Sequence, residues 1–553
     1  MDLLGVPLFV LALAALAVAG LLAWAGKQRV PALEVDLEGT RYTHMDVRAA
    51  IKESKEASKV WRSSSFAQRR LLLKTLVKYV VENQEAICRI SARDSGKPLV
   101  DASFGEVLGT CEKIWWLCSE GERYLKPESR SAGYMMFYKK ARVEYHPVGV
   151  VGAIVPWNYP FHNILNPLTA ALFAGNGAVI KVSEHATWSA LAYERVIDAA
   201  LAAVGAPKGL VRIVTGYGEA GNALVTGGVD KLIFVGSTAI GHKVLEAAAT
   251  TLTPVVLELG GKDAFVILED ADLATVTATA LRGAFQSCGQ NCAGAERFIV
   301  HRSLADRLLE RAVDVVRRMR QGPAAGPEVV DCGSMCMPGQ AEKVQALIDD
   351  AVAKGAKVLA GGKLPDQSKG LFYPPTVITG VTRGMRIWEE EVFGPVMTVI
   401  PFDTEDEAIA LANDCPFGLG SAVFSRSAAR ARRVGAQLEA GMTSINDFAT
   451  TYMCQSLPFG GVKESGFDRF AGVEGLRGLC VPKAVAEDRW PFSTAIPPLL
   501  QYPVSDKAFE FCQALVCMFY APDLSENFKG LLRLAACFVP LPGFVTGRAK
   551  KTA

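Results

Sequence analysis

The chain carries almost no charge imbalance: 59 Lys and Arg stand against 57 Asp and Glu, a net charge of +2 over 553 residues. A nucleic-acid binder draws on a basic excess that is missing here. No Asn-x-Ser/Thr sequon occurs, and the 13 cysteines follow no paired spacing. Both absences favour a reducing compartment for the folded body. Cys288 and Cys292 have the spacing of half a metal site, but no second pair or His-x-x-x-His partner follows, so no metal centre is expected. No repeat of fixed short period is present, which excludes a solenoid. With charged residues at only 21% and half the chain apolar, disorder is excluded as well. The remaining partners are small molecules, other copies of the chain, or lipid. The length calls for two or three domains.

One long stretch lacks charge entirely. Residues 3–26 read LLGVPLFVLALAALAVAGLLAWAG, long enough as a helix to cross a bilayer core of roughly 30 Å. We read 1–29 as a single-pass transmembrane anchor. A cleavable signal peptide is the rival, but its apolar region is shorter and follows a basic segment; only Met1 and Asp2 precede this one. Lys27 and Arg29 come after it, so the positive-inside rule sets the body on the cytosolic side of a membrane, an endomembrane such as the endoplasmic reticulum being compatible.

Residues 30–44 read as a linker. From 45 to 106 apolar residues recur at three and four spacing, through Leu71, Leu72, Leu76, Val77 and Val80, the period of helices; Gly96-Lys97-Pro98 breaks them. Residues 134–145 read as an exposed strand pair. The pattern then changes to short apolar strand, Gly or Pro turn and amphipathic helix, with strands expected at 148–155, 178–182, 211–215 and 231–235. A second such series runs from about 298 to 446. Strands alternating with helices imply parallel pairing, hence two doubly wound α/β domains. The tail after Trp490 holds two apolar pieces, 508–520 and 531–539, neither long enough to span a membrane; they are expected as helices that dock on the body, the alternative being that they lie in the lipid interface beside the anchor.

Four motifs and one thiol carry chemistry. Trp157-Asn158-Tyr159-Pro160 follows a strand; a turn Asn ordinarily satisfies backbone, and its alternative use is to aim an amide at an oxyanion. Lys181-Val182-Ser183-Glu184 sits at a strand's carboxyl edge, where α/β sheets bind ligands. Its charges suit solvent or ribose hydroxyls, and a carboxylate there repels a 2′-phosphate. Gly236-Ser237-Thr238-Ala239-Ile240-Gly241 opens a helix and is an imperfect dinucleotide fingerprint, since Thr238 replaces the middle glycine. Gly236 makes the turn, Ser237 and the helix N-terminus can face a pyrophosphate, and Gly241 lets the helix approach the sheet. In Glu258-Leu259-Gly260-Gly261-Lys262 an apolar strand end carries a glutamate, either salt-bridged or tuned by desolvation as a general base. Cys292, in Gly289-Gln290-Asn291-Cys292, is the candidate nucleophile, set against the ordinary reading of any one thiol as an inert core residue.

Together with Glu390-Glu391-Val392-Phe393-Gly394-Pro395 and Pro458-Phe459-Gly460-Gly461-Val462-Lys463, these motifs resemble in order and spacing the signatures of the aldehyde dehydrogenase superfamily, over about residues 45–488. The anchor and the C-terminal extension are similar to the membrane-associated, plant-type family 22 branch. The resemblance implies an aldehyde dehydrogenase-like fold: a cofactor domain from 45–128 and 148–259, a catalytic domain from 260–475, and oligomerisation strands at 129–147 and 476–488. Residues 489–553 form an extension, and the assembly is a homodimer or homotetramer. It implies NAD as cofactor, with NADP left open. Trp157, Lys181, Ser183, Glu184, Gly236, Ser237, Gly241, Glu391 and Phe393 then hold that cofactor. Cys292 attacks the aldehyde, Asn158 steadies the oxyanion, and Glu258 activates water to hydrolyse the thioester.

Three departures stand out. Val182 replaces a proline of many relatives, Phe470 stands after Arg469 where many carry a glutamate, and Pro167 stands where some carry a lysine, so Glu258 works without that relay. The segment 161–166, expected along the substrate entrance, is more polar than a purely apolar tunnel. Acyl transfer to coenzyme A, or a catalytically idle membrane scaffold, are the alternative functions. Cys288, four residues from Cys292, is expected to threaten it by oxidation.

Overall fold

The computed structural model describes residues 30–37 and 46–538. The anchor expected at 1–29 lies outside these, as do residues 38–45 of the linker region. Among the described residues no helix is long and apolar enough to cross a membrane. The chain divides into two compact units, one built from residues up to Leu125 and Pro147–Val481, the other from Lys126–His146 and Pro482 onward.

The first unit opens with the expected helices, Val47–Trp61, Phe66–Glu82 and Gln84–Ser95. Asp46 and Ser65 cap the first two by accepting from Arg48 N and Gln68 N, which satisfies donors a helix start leaves orphaned. Gly96 ends the third at φ 74°, and a Cβ there would sit 2.6 Å from Ser334 O; only glycine fits. Helix resumes from Leu99 to Leu125, farther than expected, through π-helical turns at Ser103–Leu108 and Leu117–Gly121.

Five parallel strands follow in the spatial order Val255–Glu258, Lys231–Val235, Val150–Val155, Gly177–Val182, Val211–Val214. Most of their residues are buried, as strands covered by helices on both faces require. Their carboxyl ends carry Trp157-Asn158, Ser183-Glu184, Gly236-Ser237 and Glu258. A sixth strand, Gly466–Phe467, returns from late in the sequence and pairs antiparallel, Gly466 opposite Glu258.

A seven-stranded sheet forms the rest, ordered Lys357–Ala360, Thr376–Thr379, Val396–Phe402, Ala295–His301, Asp263–Ile267, Gly420–Phe424, Met442–Ile445, parallel except for the first strand. The series begins at Asp263, earlier than the 298 expected, because that strand follows the Glu258 motif with no intervening helix. Phe265, Phe298 and Phe424 stack in its core at 5.2 Å centroid spacing.

The second unit contains a three-stranded sheet with Lys139–Pro147 between Glu128–Arg130 and Cys480–Asp488. The strand pair expected over 134–145 is corrected: 135–138 is a turn, and the partner of Lys139–Pro147 comes from before Gly133, Ser129 opposite Arg142. The expected strand from 476 begins at Cys480, since Gly472–Arg477 is helical. In the tail, Ala508–Tyr520 forms the first helix as expected. The second runs Leu524–Ala536 rather than from 531: the polar stretch before Leu531 is one face of an amphipathic helix, tied by Lys529 to Glu526 at 2.6 Å.

Candidate active site

The loop before Cys292 is built by strain and by ties to three other elements. Ser287 and Cys288 both have positive φ, 53° and 59°, which non-glycine residues adopt only when their surroundings impose it. Asp101 imposes it from below, accepting from Ser287 N at 2.8 Å and from Arg282 at 2.9 Å. The Gln290 side chain donates to Ser287 O at 3.1 Å and accepts from Cys336 N at 2.9 Å. Tyr159 O–H donates to Asn291 Oδ1. Gly289 passes so close to Gly394 O that a Cβ would overlap it.

Cys292 ends this loop in the wall of a cavity of about 500 Å³, and Glu258, Asn158, His162, Tyr452 and Phe470 share that wall. Glu258 shares this wall with the Cys292 thiol, and each alters the other's proton affinity. Burial, with Cys292 opposing, lifts its carboxyl to about 8, and its Oε1 has no hydrogen-bond partner. Burial and then the Glu258 carboxylate push the Cys292 thiol well above its ordinary range, so the thiol is protonated at rest and would need a base beside it to attack as a nucleophile. The motif's two glycines now have a reason: a Cβ on Gly260 would meet the Glu391 carboxylate at 2.6 Å, and one on Gly261 the Cys292 carbonyl at 2.3 Å.

Asn158 donates its Nδ2 to Gln290 O at 3.1 Å, while its Oδ1 accepts from Asn163 Nδ2 at 3.2 Å. The second bond decides which way the Asn158 amide faces, because only the –NH₂ can serve an oxyanion. The sequence offered no signal for Asn163 beyond an unexpectedly polar segment. Asn163→Leu is expected to lower kcat and kcat/KM together by roughly tenfold, with KM unchanged in steady-state assays; a loss of thermal stability with kcat intact would reject this positioning role.

Two further residues escaped the sequence reading. Glu106 is fully buried and accepts from Phe161 N and His162 N at 2.8 and 2.9 Å, holding the start of helix Pro160–Ala174. Lys97 compensates it at 2.7 Å and lies 3.8 Å above the Tyr159 ring. Glu296 accepts from Val392 N and Phe393 N at 3.0 and 2.9 Å, and from Lys262 at 2.8 Å. It thereby joins two motifs far apart in sequence and holds Phe393 at φ 48°.

The other predicted residues gather along the carboxyl edge of the first sheet. Phe393 packs edge-on against Trp157 at 5.8 Å. Glu391 accepts from Gly261 N at 3.0 Å. Lys181 is mostly buried 3.7 Å from Glu184, with burial drawing its ammonium below the ordinary lysine range; Ser183 caps the following turn by accepting from His185 N. Ser237 is the N-cap of helix Thr238–Ala249 but makes no side-chain capping bond. A Cβ on Gly241 would strike Leu259 at 2.7 Å. A helix start free of side-chain capping, brought against the sheet by Gly241, is a cradle that fits a pyrophosphate.

The departures fall where the sequence reading set them. Phe470 lines the cavity and packs on Phe459 at 5.0 Å, and Pro167 is buried within its helix. His162 and Asn163 reach the cavity, whereas Phe161, Ile164 and Leu165 face the core. Burial and then Lys113 hold His162 down to about 3, so it is neutral. The expected Cys288–Cys292 liability is corrected: the Cys288 thiol lies 3.1 Å from Cys332, in a core with Met335 and Val344, while Cys292 packs against a separate cluster of Leu419, Met442, Phe459 and Ala471. No His, Cys, Asp and Glu cluster suited to a metal occurs among the described residues.

A thiol and a buried carboxyl in one cavity wall, an amide beside them and a helix start that fits a pyrophosphate are the parts a nucleotide-dependent oxidoreductase with a thiol nucleophile would need. The aldehyde dehydrogenase family model matches residues 33–485, and the chain belongs to that family and is an aldehyde-oxidising oxidoreductase. An aldehyde dehydrogenase-like protein of Saccharomyces cerevisiae is 40% identical over 89% of this chain and 79% of its own. Peroxisomal aminoaldehyde dehydrogenase 2 of Pisum sativum is 36% identical over 81% and 90%. The structure of Staphylococcus aureus betaine aldehyde dehydrogenase in complex with NAD+ is similar at a TM-score of 0.75, 31% identical, covering 82% of this chain and 90% of that one.

Proposed function

We propose that the chain oxidises an apolar aldehyde to a carboxylic acid with NAD, through a thiohemiacetal and a thioester on Cys292. The observation that carries this is the Cys292 thiol and the buried Glu258 carboxyl, whose Oε1 has no hydrogen-bond partner, in the wall of one aromatic-rich cavity. Glu258 takes the thiol proton and the sulfur adds to the carbonyl carbon. The Asn158 –NH₂ and the Cys292 backbone N–H hold the oxygen as it becomes negative. NAD, when bound, supplies the hydride acceptor. Once Glu258 has passed the thiol proton to solvent it removes a proton from water, whose oxygen adds to the thioester carbonyl; the sulfur leaves as the thiolate and the acid is released. Trp157, Lys181, Ser183, Glu184, Gly236, Ser237, Gly241, Glu391 and Phe393 would hold the dinucleotide, and the Glu184 carboxylate beside the adenosine ribose disfavours the 2′-phosphate of NADP.

The cavity wall carries Phe104, Phe448, Tyr452, Phe459 and Phe470, surfaces suited to an alkyl or aryl tail. The relatives named for aminoaldehydes and betaine aldehyde act on charged substrates. Following NADH absorbance over a panel of aldehydes, with NAD and NADP in parallel, tests the reading. Highest kcat/KM for uncharged aliphatic or aromatic aldehydes supports it; preference for ammonium-bearing aldehydes, or turnover only with coenzyme A, overturns it.

The family 22 branch, a cytosol-facing body anchored by residues 3–26, and assembly into a homodimer or homotetramer through the strand Cys480–Asp488 belong to the same proposal. The uncharged run followed by Lys27 and Arg29 supports the anchor. Release of the chain by alkaline carbonate extraction would reject it.

A further inference from the structure

Two neighbouring residues, Asn158 and Tyr159, reach across to two consecutive residues of the loop before Cys292. Asn158 Nδ2 donates to Gln290 O at 3.1 Å, and Tyr159 O–H donates to Asn291 Oδ1. The direction of the second bond is fixed by the groups around it. Asn291 Nδ2 donates to Gln286 O at 2.9 Å, and a carbonyl only accepts, so the Asn291 oxygen is the atom left for the tyrosine. The single phenolic proton is thereby engaged, and Ser287 Oγ, 3.2 Å from the Tyr159 oxygen, donates to it. Tyr159 is in turn held from outside the loop. Gly105 makes room for its ring, since a Cβ there would lie 2.2 Å from Tyr159 Cε1. The Lys97 ammonium sits 3.8 Å from the ring centroid and is tied to Glu106 at 2.7 Å, and both of these charged residues are buried.

Asn291 matters because it shares a peptide bond with Cys292. The carbonyl of that peptide accepts from Gly294 N at 3.2 Å, and in a planar trans peptide the N–H of Cys292 points the opposite way. The aim of the Cys292 N–H is therefore a property of how Asn291 is seated. We propose that Tyr159, acting through Asn291, is the positioning residue for the Cys292 N–H and so sets the spacing between the two oxyanion donors, that N–H and the Asn158 amide. The proposal rests on the aldehyde-oxidation reading, in which those two donors hold the same oxygen. It requires no contact between Tyr159 and a reacting atom. Without the phenolic hydroxyl the Asn291 side chain keeps its tie to Gln286 and loses the one at its oxygen, while the Cys292 sulfur stays among Leu419, Met442, Phe459 and Ala471.

The test compares full-length Tyr159→Phe, Asn291→Ala and the double variant with the parent in two readouts: stopped-flow NADH formation in the first turnover, and alkylation of Cys292 by iodoacetamide followed by peptide mass spectrometry. Alkylation displaces iodide at a saturated carbon and builds no oxyanion, whereas addition to an aldehyde does. The pair of readouts thus separates the aim of the N–H from the placement of the sulfur. Tyr159→Phe is expected to slow first-turnover NADH formation about tenfold, the scale of a misaligned rather than absent donor. The aldehyde concentration giving half-maximal rate should be unchanged, and alkylation should keep the parent rate. Asn291→Ala should slow the first turnover at least as much. Adding Tyr159→Phe to it should change the rate by less than about twofold, because the hydroxyl then has nothing left to hold. An unslowed first turnover in Tyr159→Phe, NADH formation and alkylation slowed together, or effects that multiply in the double variant would each overturn the positioning role alone. A parent that forms no NADH from any aldehyde would overturn it together with the aldehyde-oxidation reading.

Discussion

Cys292→Ala is expected to lower aldehyde-dependent NADH formation by at least about 10⁴-fold, the scale seen when a nucleophile acting as part of a unit is removed. NAD binding, followed by quenching of tryptophan fluorescence, should be unchanged, because the cradle around Ser237 and Gly241 lies apart from the thiol. No other cysteine can substitute. Cys288 is only four residues away, yet its sulfur faces Cys332 in a different core. Cys288→Ala therefore serves as the control and should retain most activity. Turnover in Cys292→Ala within tenfold of the parent would overturn the nucleophile assignment.

Glu258→Gln should retain a burst of NADH and then stall, with steady-state turnover down about 10²- to 10⁴-fold, as acyl-enzyme accumulates; intact-mass spectrometry would record the adduct. In the parent, Glu258 must be ionised to act, so turnover should rise with pH through about 8, and the variant should lose that dependence. The same carboxyl has a stability signature. Its folded value is raised from 4.5 to about 8, so between those limits the folded state holds a proton that the unfolded state has released. Stability therefore falls as pH rises through that window, by at most about 1.4 kcal/mol per pH unit for one group. Burial raises Asp263 to about 7 in the same direction. Glu258→Gln removes one such penalty, so its Tm should exceed that of the parent at pH 9 by more than it does at pH 6. An equal Tm difference at both values, or unchanged deacylation, would reject the buried general base.

Much of this site was legible from the chain alone because its residues sit at strand ends, and strand ends are marked. A short apolar run that stops at Gly, Asn or Ser betrays both the strand and the loop beyond it, which is how Asn158, Ser183 and Ser237 could be named. The second apolar tail element was misjudged for the opposite reason. Polar residues, Ser525 to Asn527 and Lys529, interrupt the run, and only the helical period joins Leu524 and Phe528 to Leu531. The turn at 135–138 reads locally as exposed strand because its aromatic residues run straight into the alternating apolar and charged pattern of 139–145.

What the sequence determined by itself was the doubly wound scaffold and the positions on it of the candidate reacting groups: Cys292, Glu258 and Asn158, with a glycine-bearing cradle beside them. Those follow from local rules, residue chemistry plus the period of strands and helices. The tertiary structure alone decided how the groups are aimed and tuned. Asn163 orients Asn158, Glu296 holds Phe393, Asp101 holds the strained turn before Cys292, and the burial of Glu258 sets its proton affinity. Each of these is a contact or a desolvation between segments distant in the chain, and no local pattern of residues encodes a distance across space.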